Sequence, residues 1–235
     1  MTSLAPTLAQ KSRPSRPQLP LNDQVYQKLR WALTVGDYRP GDRLSIRGLA
    51  AVLGTSAMPV REALKRLVSD RALEVSNNRS FRVPVMAPKR VSDLFLIRST
   101  LEGLATEIAA TVLTRSQVDD LIQMAAQLDQ VISDNRAEDY LRGNYNFHFT
   151  IYTAAGNPDL VSIIDGLWVQ TGPFLSDGVK QIGLTADWRL LHREIAAAIQ
   201  IRDGARARQL IERDIGWGVR YFSDQIQEGP SVKRS

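Results

Sequence analysis

The chain has two histidines, His148 and His192, and both lie in stretches that are otherwise apolar. Asn144 precedes His148 by one helical turn, which places both side chains on one face of a helix. Asp214 lies between isoleucines in another helical pattern, where a buried carboxylate needs a partner. These residue types bind Zn, Ni, Mn or Fe, so the four side chains are candidate ligands of one divalent metal. On the residues alone, structural roles for both histidines are the alternative.

A second group of candidate residues is polar and basic and lies within residues 39–84. This stretch is predicted to form two short helices joined by a tight turn, because Ser45 can cap the first helix and Gly54 can end it. Alternation over residues 72–76 and 81–85 predicts two strands. This order is typical of a winged helix-turn-helix, whose second helix enters the major groove of DNA.

Arg61 lies on the exposed face of the predicted second helix, where its guanidinium can make a bidentate contact with guanine. An ion pair with Glu62 or Asp70 is the alternative for this side chain. The other candidates are expected to contact phosphates, flanking bases or the minor groove, and they are Arg47, Ser56, Lys65, Arg66, Arg79 and Arg82.

The charge distribution favours a polyanionic partner for the N-terminal part of the chain only. Residues 1–90 contain 16 Lys and Arg against 6 Asp and Glu, a net charge of +10. Residues 91–235 contain 14 Lys and Arg against 19 Asp and Glu, a net charge of −5. Because only the first part attracts nucleic acid, double-stranded DNA is its predicted partner.

The elements that position these residues form two predicted domains. Residues 1–20, which are basic and rich in proline, and residues 229–235 are predicted to be disordered tails. The winged helix-turn-helix occupies residues 21–85, a linker covers residues 86–90, and residues 91–228 show helical periodicity without a strand signal. The helices of this second domain are predicted at residues 91–113, 116–133, 137–155, 158–178, 185–201 and 204–227. The fold class is therefore mostly α, with an N-terminal winged helix-turn-helix and a C-terminal all-α antiparallel six-helix bundle.

Composition and motifs exclude several classes of protein. The absence of cysteine excludes disulfides and thiolate metal sites and is consistent with a cytoplasmic protein. No apolar run approaches the roughly 18 residues of a membrane helix, and no secretory signal pattern is present. HExxH, GxSxG and glycine-rich phosphate loops are absent, so an enzyme is not expected. A metal-dependent hydrolase with a DNA-binding appendage is the competing class.

Residues 21–85 resemble the DNA-binding domain of the GntR family of bacterial transcription regulators. The resemblance rests on the sequences RPGDRL at residues 39–44, LA at residues 49–50 and PVREAL at residues 59–64. It implies that Arg47 and Arg61 contact DNA, because both match contacting positions of the family. The family commonly has arginine where Ala57 stands, which implies a shifted base preference.

Residues 91–225 resemble the FCD effector domain of the FadR-type subfamily, in its six-helix, VanR-like branch. The residues that carry this resemblance are Leu101-Glu102, Phe147-His148, Ala154 to Pro158 and His192-Arg193. Metal-binding members of the family use one Asp and three His. The resemblance therefore implies His148 and His192 as ligands, with Asn144 in the place of the family's Asp and Asp214 in the place of its last His.

The resemblance also implies a small carboxylate effector. Arg98 matches an arginine of the family that faces the pocket and can bind a carboxylate bidentately, although a surface ion pair with Asp93 or Glu102 is the alternative. Trp168 is a further candidate for the pocket. We expect a homodimeric repressor of a near-palindromic operator that responds to a small organic acid and a divalent metal. In the alternative of a metal-free pocket, the same polar residues bind the effector directly.

Overall fold

The N-terminal domain, called the head below, is a three-helix unit with a small antiparallel sheet. The computed structural model describes the backbone of residues 19–76, 80–182 and 186–227, and within these the side chains except those of residues 180–189 and 223–227. The elements of the head are α1 Leu21–Thr34, β1 Arg43–Leu44, α2 Ile46–Leu53, α3 Ala57–Ser69, β2 Glu74–Val75 and β3 Phe81–Arg82. The predicted terminal tails, apart from residues 19 and 20, lie outside the described residues.

The predicted helix signals of the head are present in the structure. The Ser45 side chain accepts a hydrogen bond from the Gly48 backbone N–H, which caps α2. Gly54 ends α2 with φ of +62°, in the left-handed region that glycine adopts at little cost. The turn between α2 and α3 is therefore determined locally.

The sheet differs from the predicted two-stranded wing. Its strand order is β1-β3-β2, with Leu44 opposite Phe81 and Val75 on the other side of Phe81. Within the described residues the strands are two residues long, shorter than predicted, and β1 was not predicted at all. Two residues are too few to show the alternation that predicts a strand, so β1 is recognisable only by its pairing with β3.

The C-terminal domain contains six helices in the described residues: α4 Pro88–Val112, α5 Arg115–Ser133, α6 Ala137–Ala154, α7 Pro158–Ile182, α8 Ala186–Gln200 and α9 Gly204–Gln227. The predicted fold class is confirmed. α4 packs along α9 and also contacts α6, α7 and α8, so it is the central helix of the bundle. No helix in the described part of the chain combines the length and hydropathy of a membrane span.

The linker predicted at residues 86–90 is shorter in the structure, because α4 already begins at Pro88. Proline is favoured in the first turn of a helix, where its missing N–H leaves no hydrogen bond unmade. Met86 is buried in the core of the bundle. The two domains are thus joined almost without a spacer.

The head packs against the bundle through α1 and α7. Val169 of α7 is fully buried in the hydrophobic core of the head. Arg30 of α1 binds Asp165 of α7, with Nη1 2.8 Å from the carboxylate and Nη2 donating to the backbone oxygen at 2.9 Å. Trp31 contacts Tyr145 of α6 edge to face at 4.9 Å between ring centres. α7 therefore belongs to the cores of both domains.

Candidate functional sites

Three of the four predicted metal ligands converge inside the bundle. His148 of α6, His192 of α8 and Asp214 of α9 each offer one ligand atom, and these atoms lie within 4.8 Å of one another. All three residues are buried, with 1%, 0% and 6% of their surface exposed. The fourth predicted ligand, Asn144, is buried beside them, and its Oδ1 lies 2.9 Å from Nε2 of His192. An amide oxygen only accepts, so His192 is the donor in this contact.

The hydrogen bonds around His148 determine which of its nitrogens carries a proton. Tyr152 donates its hydroxyl proton to Glu102 and lies 2.7 Å from Nδ1 of His148. Because the tyrosine proton is already used, Nδ1–H of His148 must donate to the tyrosine oxygen. Burial and the Glu102 carboxylate raise the pKa of Tyr152 well above its ordinary value, so the hydroxyl keeps its proton.

Nε2 of His148 is buried and makes no hydrogen bond to any described residue, although Oδ2 of Asp214 lies 3.2 Å away. In neutral His148 this nitrogen presents a lone pair to a carboxylate, which is favourable only with a cation or a proton between them. Burial by itself raises the pKa of Asp214, but the contact with His148 and the charges of His192, His148 and Arg98 outweigh burial and hold this pKa below its ordinary value. Asp214 therefore stays ionised.

A buried ion pair lies next to these residues. Nε of Arg98 donates to Glu102 at 2.8 Å, and 3% and 0% of the two side chains are exposed. Nη1 of Arg98 donates to Thr171 at 3.0 Å, and the guanidinium lies 4.2 Å from the ring centre of Trp168. Trp168 donates its indole N–H to Glu102 at 3.0 Å. Arg98 is therefore paired with Glu102, as one alternative anticipated, but in the interior and not on the surface.

Sequence reasoning missed Glu102 and Tyr152 as residues of this site. Glu102 accepts hydrogen bonds from Arg98, Tyr152 and Trp168, and it joins the ion pair to His148 through Tyr152. The local signals were the spacings of four residues from Arg98 to Glu102 and from His148 to Tyr152. The contact between Glu102 and Tyr152 spans 50 positions, so no local pattern reveals it.

The predicted DNA-binding residues of the head differ in solvent exposure and in whether they pair with other residues of the head. Arg47 and Arg61 are exposed. Within the described residues Arg61 has no charged partner, because Glu62 pairs with Lys65 at 3.0 Å and Asp70 accepts a hydrogen bond from Tyr26. Ser56 is exposed at the N-cap of α3, where its side chain makes no capping hydrogen bond. The ion pair considered for Arg61 is thus not formed.

Two other predicted DNA contacts have partners inside the head. Arg66 pairs with Asp23 of α1 at 2.5 Å, and its guanidinium lies 3.9 Å from the ring centre of Tyr26. Arg82 pairs with Glu74 across the sheet at 2.5 Å. Arg79 lies outside the described residues.

Two family models together match most of the described chain. The bacterial regulatory proteins of the gntR family match residues 21–83, and the FCD domain matches residues 93–216. A winged helix-turn-helix with an exposed basic α3, joined to an all-helical domain with a buried polar site, defines a DNA-binding regulator. The chain belongs to the gntR family of bacterial regulatory proteins, with an FCD domain; these are transcription regulators and not enzymes.

Characterised relatives agree with this assignment. The chain is 36% identical over 152 residues to the HTH-type transcriptional regulator McbR of Escherichia coli, an alignment that covers 65% of this chain and 69% of McbR. It is 23% identical over 198 residues to the HTH-type transcriptional repressor GlaR of Escherichia coli, covering 81% and 90% of the two chains.

Solved structures show the same fold. The E. coli McbR/YncC structure has a TM-score of 0.83 and 29% identity, covering 89% of this chain and all of the other. A GntR regulator structure from Rhodococcus sp. RHA1 has a TM-score of 0.71 and 21% identity, covering 86% and 97%. The two-domain architecture is therefore shared.

Proposed function

We propose that the chain is a homodimeric repressor whose bundle binds a small carboxylate together with a divalent metal. The observation that supports the proposal is the buried Nε2 of His148, which makes no geometric hydrogen bond within the described residues and faces Oδ2 of Asp214 at 3.2 Å. Two of the relatives named as repressors, GlaR and RspR of Escherichia coli, support the direction of regulation. DNA binding itself follows from the family.

The residues present suit a divalent cation. Two imidazoles, one carboxylate and one amide oxygen form a mixed nitrogen and oxygen set of the kind that Zn, Ni, Mn and Fe accept. His148 already donates its other N–H to Tyr152, which in turn donates to Glu102, and an outer hydrogen bond of this kind orients a ligating imidazole. His192 and Asp214 would complete the set, and Asn144 would join it by exchanging the hydrogen bond that its oxygen accepts from His192 for the ion. The ion would supply positive charge to an effector carboxylate.

The charges of the site explain why an anionic effector needs this ion. Glu102 and Asp214 are two buried carboxylates, whereas Arg98 is the nearby guanidinium. With both imidazoles neutral, as metal ligands must be, the two carboxylates outnumber Arg98 by one charge, which repels a carboxylate effector; a divalent cation reverses the sign. In the described part of the chain Nη2 of Arg98 makes no hydrogen bond, so it is available to a ligand while Nε stays on Glu102.

The metal proposal is tested by elemental analysis of the untagged protein purified without chelator. We expect about one divalent ion per chain in the unsubstituted protein and none in His148→Ala or His192→Ala, since each variant removes a nitrogen ligand. Asn146→Ala is the matched control, because it alters an exposed residue of the same helix. Equal metal content in all four proteins would contradict the site.

The metal-free pocket is separated from this proposal by a second measurement. If the protein holds no metal, a thermal-shift screen of small organic acids should still find a stabilising ligand that depends on His148 and Asp214. If the metal is required, the same acids stabilise only the metal-loaded protein, and a chelator abolishes the shift.

In this proposal, effector binding changes the position of the head through α7. Thr171 of α7 accepts a hydrogen bond from Arg98, and the next residue, Gly172, lies against the backbone of α1. An effector that draws Arg98 away from Thr171 therefore acts on the helix that carries the head. Two coupled ligands change each other's affinity by the same factor. Operator DNA should therefore lower the affinity for the effector if the effector lowers the affinity for DNA.

A further inference from the structure

The first turn of α3 presents apolar side chains to solvent on the surface predicted to face DNA. Met58 is 68% exposed, and Ala57 beside it is exposed as well. Other apolar residues of α3 behave differently, since Val60 and Leu64 are fully buried in the head. Met58 is thus outside the core, in the first turn of α3. α3 is the recognition helix, and the N-terminal residues of such a helix contact base edges.

The surroundings of Met58 suit a DNA duplex. Arg61 follows it by one helical turn on the same side of α3, is exposed, and has no charged partner within the described residues. Ser56, which precedes Ala57, is exposed with its hydroxyl unused for capping. A surface that combines an unpaired cation, a free hydroxyl and an apolar side chain matches phosphate, base edge and methyl group in the major groove.

The base edges of the major groove carry one apolar group, the C5-methyl of thymine. We propose that Met58, with Ala57 beside it, determines operator specificity by contacting thymine methyls in each half-site. The unbranched thioether of methionine adapts its rotamers to such a methyl group and packs against it. Arg61 then binds the neighbouring base or phosphate.

The test begins with operators selected from random-sequence duplexes by the full-length protein. We expect each half-site to contain an invariant thymine, and its replacement by deoxyuridine keeps every hydrogen bond and removes only the methyl. Loss of one buried methyl should weaken binding roughly fourfold, measured by fluorescence anisotropy at fixed salt. Met58→Ala should bind the thymine and uridine duplexes equally, with the affinity that the unsubstituted protein has for uridine.

Two control variants make the result specific. Val52→Ala truncates an apolar side chain of α2 that is 83% exposed, and it should keep the full difference between thymine and uridine. Arg61→Ala should weaken binding to both duplexes by the same factor. The proposal is overturned if no half-site selects thymine, if uridine binds as well as thymine at every selected position, or if Met58→Ala retains the difference.

Discussion

At the scale of single residues, the site is defined by two consecutive hydrogen bonds. His148 donates to Tyr152, and Tyr152 donates to Glu102. Tyr152 is fully buried and its only proton goes to Glu102. This arrangement fixes His148 with Nε2 unprotonated when the imidazole is neutral. A metal ligand needs that state, so Tyr152 would act on the proposed metal through His148 without touching it.

Tyr152→Phe removes one hydroxyl and leaves the packed ring. We expect it to lower metal affinity by about 10- to 100-fold, because the outer hydrogen bond of the His148 ligand is lost. Competition with a chromophoric chelator measures this affinity. Tyr145→Phe is the control on the same helix, since its hydroxyl lies 3.5 Å from Asp165 and does not contact His148. Unchanged affinity in Tyr152→Phe would exclude the proposed role.

The types and spacing of residues predicted part of the site. The sequence indicates His148, His192 and Asp214, because polar groups at buried helical positions need partners, and the structure brings them together. The role of Glu102 was missed, because its partners come from three different segments and depend on how α4, α6 and α7 pack. For the same reason the pairing of Arg66 with α1 was not visible in the sequence.

At the scale of elements, α7 connects the two domains. Its residues Trp168 and Thr171 contact the buried ion pair, whereas Val169 and Asp165 contact the head. Helical periodicity predicted α7. It did not predict that α7 packs against the head on one side and against the bundle on the other, because an apolar stripe does not identify the domain that packs against it. The close approach at Gly172 belongs to this second, unpredicted interface.

Gly172→Ala should weaken the packing of the head against the bundle. A Cβ at this position would lie 2.3 Å from the carbonyl oxygen of Leu33 and 2.5 Å from that of Thr34, and backbone atoms cannot yield as a side chain can. We expect a loss of about 1–3 kcal/mol in the free energy of unfolding and faster hydrogen exchange in α1. Gly166→Ala is the matched control in the same helix, because among the described residues nothing beyond its chain neighbours and the backbone of its own helix lies within 4 Å of the added Cβ. Similar behaviour of both variants would contradict this interface.

At the scale of the whole molecule, the proposed homodimer needs a contact surface, and an exposed apolar stripe on α4 is the candidate. Ile97 and Leu104 are 46% and 41% exposed although α4 is the central helix of the bundle, and Leu101 and Ile108 lie partly exposed between and beyond them. Apolar residues on successive turns of one face form a surface suited to an isologous contact. Two heads held in this way would bind two half-sites of a near-palindromic operator.

Leu104→Asp places a charge in this proposed contact and should weaken dimerisation by at least about tenfold, because a buried, unpaired carboxylate is strongly unfavourable. Sedimentation analysis over a range of concentrations measures the dimer directly. Operator binding should weaken in parallel, whereas binding to an isolated half-site should not change, since the head is untouched. Ile201→Asp is the control, because Ile201 is 72% exposed in the turn between α8 and α9. A dimer that tolerates Leu104→Asp as well as Ile201→Asp would show that α4 does not form the contact.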